Sequence, residues 1–158
     1  MHRISRAALA TTVLTLASIA ACGGGGSSPS STPNQPSAPS TSVNLSGSWR
    51  GAASDSSGPG EIALQVTQTG TALSGSASIT LTGSPVTGRG TMSGTLSGST
   101  VHLTITVPAG GFDAPYGSCN ASVTGDGQAS ATSITATYTG TNSCSGTVAS
   151  GQMSLSKQ

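Results

Sequence analysis

The sequence of 158 residues predicts an all-β fold, an eight-stranded antiparallel up-and-down meander barrel over residues 43–158. Three observations carry this. From Val43 onward, apolar residues recur with a period of two, which puts one face of each run in a core and the other in water. Glycine-bearing turn signals separate the runs. No segment shows a helical stripe, and the glycine spacing would break one.

The elements follow in order. The first strand is expected at 45–53 and carries Trp49. In the second, 60–69, Ile62, Leu64 and Val66 alternate with Glu61, Ala63, Gln65 and Thr67. The third, 72–81, presents Leu73, Gly75, Ala77, Ile79 and Leu81 on one face, and the fourth, 87–97, presents Met92 and Leu96. The fifth, 100–107, sets Val101, Leu103, Ile105 and Val107 against His102, Thr104 and Thr106. The sixth is expected at 118–125 with Ala121 and Val123 inward, and the seventh at 132–140 with Ile134, Ala136 and Tyr138. The eighth, 145–156, offers Val148, Met153 and Leu155. Gln68-Thr69-Gly70-Thr71, Leu96-Ser97-Gly98-Ser99 and Gly125-Asp126-Gly127 read as hairpin turns, because glycine takes positive φ without a Cβ clash.

This spacing suits a sandwich or an up-and-down barrel. A Ser/Thr-Gly-Ser/Thr triplet recurs around Gly47, Gly75, Gly94, Gly98 and Gly146. Gly75 and Gly94 fall inside long alternating runs, where glycine permits a sharp bend. Repeated bends suit a sheet that closes on itself. Few of the inward residues are bulky, so an eight-stranded barrel could be filled or could hold one small ligand. No polar residue is expected to point inward to orient a ligand, which favours a packed interior.

The N-terminal third has a different character. Arg3 and Arg6 precede an apolar or small-residue run of 15 residues, 7–21. A transmembrane helix needs roughly 20, so residues 1–21 read as a secretory signal peptide. Its last residues, Ile19-Ala20-Ala21-Cys22, resemble the lipobox of bacterial lipoprotein signals. The resemblance implies cleavage before Cys22 and lipidation of its sulfur. Each buried lipid CH₂ contributes about 0.8 kcal/mol, so several acyl chains would anchor the protein on a membrane. Gly23 follows the cysteine where an Asp would imply retention at the inner membrane, so the resemblance points to the outer membrane of the cell envelope. Residues 22–42 read as the lipidated Cys22 followed by a flexible tether, 23–42, of Gly, Ser, Pro, Thr, Ala and Asn with one Gln and no charge.

Composition excludes several function classes. Only 6% of residues are charged, and the net charge of +1 offers no basic stripe for nucleic acid. After loss of the signal, Arg50, Arg89 and Lys157 face Asp55, Glu61, Asp113 and Asp126, or 3 − 4 = −1. That chain keeps one His, and His102 alternates with apolar neighbours, so it is expected on the outer surface. Asp55 and Glu61 flank a Ser/Gly/Pro stretch and read as loop solubilisers. No Gly-x-Ser-x-Gly elbow, Walker loop or Rossmann fingerprint occurs. The expectation is a non-enzymatic protein without a cofactor.

Cys119 and Cys144 remain once Cys22 is lipidated, and two cysteines in an exported domain read as a disulfide. In a meander they share one rim. Two thiols without a nearby His fall short of a zinc site. The segment 108–117 holds the only Phe, Phe112, and one of two Tyr, Tyr116. It is expected to be a rim loop, either a lid over the barrel end or a ligand contact.

Asn44-Leu45-Ser46-Gly47-Ser48-Trp49 resembles the start of calycin barrels, the lipocalin and avidin group, which open with Gly-x-Trp and plug one barrel end with the Trp. Lipocalins also place an Arg or Lys from the last strand across that ring, and Lys157 is the candidate here, beyond the last apolar pair. The aromatic lining of avidins is absent, which argues against biotin. Three functions are compatible with this reading. The first is an envelope interaction domain that meets another envelope protein, and the second is binding of a small apolar ligand inside the barrel. The third is protease inhibition of the avidin-like type, which needs a free N-terminal arm that a lipid on Cys22 would occupy.

Overall fold

A computed structural model describes residues 43–158. The signal, lipidation and tether assignments, including Cys22, lie outside these residues. Eight strands run in chain order: β1 (Gly47–Asp55), β2 (Gly58–Thr69), β3 (Ala72–Leu81), β4 (Thr87–Ser97), β5 (Thr100–Val107), β6 (Ala121–Ala129), β7 (Ser133–Asn142) and β8 (Gly146–Lys157). Each pairs antiparallel with the next, and β1 pairs with β8, so the sheet closes. Closure removes the free edges that a short-stranded sheet would expose.

Alternation sets the two faces. Ile62, Leu64 and Val66 of β2, Val101, Leu103 and Ile105 of β5, and Ile134 and Ala136 of β7 are buried. Between them, Glu61, Gln65, Thr67, His102, Thr106, Thr135 and Thr137 are exposed. The outer wall is therefore Ser, Thr and charged groups, a surface built for water rather than the apolar band of a membrane-spanning barrel.

The glycine triplets divide by role. Gly98 (φ 61°) and Gly146 (φ 86°) occupy the left-handed region at turns, as glycine allows. Gly75 and Gly94 sit inside β3 and β4, where a Cβ would fall 1.7 Å from the Gln65 carbonyl oxygen and 2.2 Å from that of His102. These two are bends at which neighbouring strands approach more closely than any side chain permits.

One expected turn is corrected. Gly125-Asp126-Gly127 lies inside β6, which runs to Ala129, and Asp126 pairs with His102 of β5. The glycines there admit neighbouring backbone: a Cβ on Gly127 would fall 2.0 Å from the Thr135 oxygen. The actual β6–β7 turn is at 130–132, where Ser130 Oγ accepts from the Thr132 and Ser133 amides. A Ser-based turn does the work that the sequence suggested for glycine.

The core is unevenly distributed along the barrel. At one end Trp49, 1% exposed, packs in a cluster with Leu45, Leu64, Val66, Leu73, Met92, Leu96, Val101 and Leu155. The Trp49 indole N–H donates to the Leu45 carbonyl at 2.7 Å. Lys157 Nζ lies 5.5 Å from the ring centroid and donates to the Asn44 carbonyl at 3.1 Å. This end is closed.

Candidate functional site at the open end

The opposite end contains a cavity of about 640 Å³. Its wall includes Ile62, Ile79, Ile105, Val123, Val148 and Met153, and its rim includes Asp55, Leu81, Val86, Phe112 and Tyr116. The expectation of a packed interior is thus corrected for half the barrel. The cause is asymmetric filling: one large indole and its neighbours fill the closed end, while medium side chains line the other. Ile79 and Val123 are only partly buried because they face this space. Leu81, expected inward, is 39% exposed at the mouth. A volume within about 300–1,000 Å³ is that of small-molecule sites. A second, shallower depression of about 260 Å³ lies over β6–β8 and includes Thr124, Asp126, Thr139 and Gln152 in its lining.

A polar group does point into the cavity. Tyr138 faces inward from the middle of β7, opposite Gly125 of β6 and Gly151 of β8. A Cβ on Gly151 would fall 2.4 Å from the Tyr138 ring, so that glycine makes room for the phenol. Beside it β8 bulges, with Ser150 at φ 56° and the register slipping between Tyr138 and Gly140. A bulge bends its strand and re-aims the side chains near it. The β1–β2 turn supports the bulge: the Ser56 amide donates to the Ala149 carbonyl, and the Ala149 amide donates to Ser56 Oγ, both at 3.1 Å.

The Tyr138 hydroxyl donates to Asp55 Oδ2 at 2.9 Å. The Ser57 amide donates to Asp55 Oδ1 at 2.7 Å. Burial, followed by the hydrogen bond and negative charge of Asp55, pushes the Tyr138 phenol well above the ordinary tyrosine range. It therefore remains a neutral donor at physiological pH. Asp55 was expected to be a loop solubiliser; it is instead the last residue of β1 and half of a polar pair at the cavity. Glu61 keeps an outward place and pairs with Arg50.

The 108–117 segment lies along the start of β4. The Arg89 amide donates to the Gly111 carbonyl at 2.7 Å, and the Asp113 amide donates to that of Thr87 at 3.0 Å. Asp113 returns the contact, accepting from Arg89 Nη1 at 2.6 Å and the Thr87 amide at 3.1 Å. The Arg89 contact leads in holding the Asp113 carboxyl below its usual range. Phe112 is seated over Gly88, where a Cβ would meet its ring at 2.5 Å, and it also lines the cavity. The segment is strapped to the wall, and its Phe112 and Tyr116 contribute to the cavity lining.

Cys119 and Cys144 form a disulfide with Cα atoms 5.6 Å apart, and both line the same cavity. The bond joins the end of the 108–120 connection to the β7–β8 turn. Of the residues singled out from sequence, Phe112, Tyr116, Cys119 and Cys144 therefore meet at the open end, and Trp49 is at the closed end. Tyr138 faces inward as expected, and its pairing with Asp55 has no signal in the sequence. Among the described residues, no group of three or more His, Cys, Asp or Glu side chains could hold a metal ion. No family model matches the chain, and no curated protein matches it.

Proposed function

We propose that the barrel is a non-enzymatic binding module that takes a small, largely apolar ligand into its open half. The observation that carries this is the cavity of about 640 Å³, with apolar side chains along its wall and the hydrogen-bonded Asp55–Tyr138 pair among the Ser, Thr and Asn groups that also line it. Sites of this kind combine apolar lining with a few placed polar groups. The Gly47-x-Trp49 start and the Lys157 ammonium across the indole support a calycin-like assignment. Cys22 after Ile19-Ala20-Ala21 supports a lipid anchor in the cell envelope, outer membrane by the Gly23 criterion. The test is saturable uptake of a neutral fluorescent apolar probe. Val123→Trp, which projects an indole into the cavity, should weaken uptake about tenfold or more, and unchanged affinity in a folded Val123→Trp protein would defeat the proposal.

A second reading has its own observation. Among the described residues, Leu81 and Tyr116 are the exposed large hydrophobic ones, at 39% and 50%, and both rim the mouth. An envelope protein could dock there, which crosslinking from position 116 would detect.

A further inference from the structure

We propose that the ligand is an amphipathic organic cation, with its apolar chain in the barrel and its ammonium group at Asp55. This rests on the binding reading above and names the ligand class.

The charge pattern is the first argument. Of the four acidic side chains in the chain, three have cationic or basic partners: Glu61 with Arg50, Asp113 with Arg89 and Asp126 with His102. Asp55 has no such partner among the described residues, and it is the acid that lines the cavity. Lys157 is engaged at the opposite end with Trp49 and Asn44. The mouth therefore carries an uncompensated negative charge beside an apolar space.

Hydrogen bonding is the second. Asp55 accepts one bond at each oxygen, from the Ser57 amide and the Tyr138 hydroxyl. Both donors are neutral. A carboxylate has about four acceptor positions, so capacity remains for a further donor. The two existing bonds hold the carboxylate in place without neutralising it.

The third is the distribution of aromatic residues. The chain has one Trp, one Phe and two Tyr, and Phe112, Tyr116 and Tyr138 all line this cavity. Aromatic faces attract ammonium groups through the ring quadrupole. A neutral alcohol would bury against Asp55 without meeting its charge, and an anion would oppose it. A cation meets both the carboxylate and the rings.

The test titrates the folded protein by calorimetry with octylammonium, octanol and octyl sulfate, which share a chain and differ in headgroup. Octylammonium should bind about tenfold or more tighter than octanol, as expected for a charge-assisted contact. Octyl sulfate should be weakest. In Asp55→Asn the difference between octylammonium and octanol should disappear. Equal affinity of the wild-type protein for octylammonium and octanol would overturn the cation assignment while leaving the binding module standing. So would a preference that persists in Asp55→Asn. Failure of all three to bind would overturn both. Should Asp55→Asn not fold, by Trp49 fluorescence, the wild-type comparison alone decides.

Discussion

Lys157 and Trp49 face each other across the seam that closes the barrel, paired in register between β8 and β1 with the ammonium 5.5 Å from the ring centroid. The contact joins the first strand to the last, so it should report on closure itself. Lys157→Met keeps the stem that covers the indole and removes the charge. The expected loss is about 0.5–1 kcal/mol, measured by urea denaturation with Trp49 fluorescence as the probe.

The two halves of the barrel should respond differently to truncation. Leu103 is almost fully buried in the core cluster, so Leu103→Ala should cost about 2–5 kcal/mol. Ile79 borders the cavity and is only partly buried, so Ile79→Ala leaves no sealed void and should cost about 1 kcal/mol. Equal losses in chemical denaturation would mean that the open half is packed as tightly as the closed one.

The disulfide should stabilise the mouth and the whole domain. Cys119 and Cys144 are separated by 25 residues, and closing such a loop contributes about 3–4 kcal/mol in the chain-entropy picture. Denaturation of Cys119→Ser/Cys144→Ser should show that loss. The reduced wild-type protein should match the double variant.

Tyr138 supplies a prediction in alkaline solution. Its folded-state ionisation lies above the ordinary value, so the unfolded chain releases this proton first as pH rises. The stabilisation is fully present below about pH 10 and is lost progressively above it. Ultraviolet titration of Tyr116→Phe, which leaves one tyrosine, should show phenolate formation delayed beyond the usual tyrosine range. In Asp55→Asn the delay should shrink.

Strand order, strand number and most inward residues were legible because a period of two maps directly onto two faces. Expected and observed limits of β3, β4 and β5 coincide. Leu45 was not among the expected inward residues although it shares the parity of Trp49, because Gly47 interrupts the apolar alternation between them; it is fully buried, and its carbonyl accepts from the Trp49 indole N–H. The 125–127 turn was misread because glycine has two uses in this sheet, positive φ and close backbone approach, and the residue alone does not distinguish them. The site was less legible than the fold. Asp55 and Tyr138 are 83 residues apart, and only closure of β1 against β8 brings their strands near each other. The free volume depends on how a closed sheet is filled along its axis, which a catalogue of inward side chains does not reveal.

Both ends of the described chain leave the barrel at the sealed base. The Gln158 amide donates to the Ser48 carbonyl, and Gln68 Nε2 donates to the carbonyl of Val43. The barrel is thus a cup held by its foot. A tag, fusion partner or sensor surface coupled at either of those positions grips the side away from the opening. Immobilised molecules should consequently share one orientation, with the bowl turned outward and available to solutes.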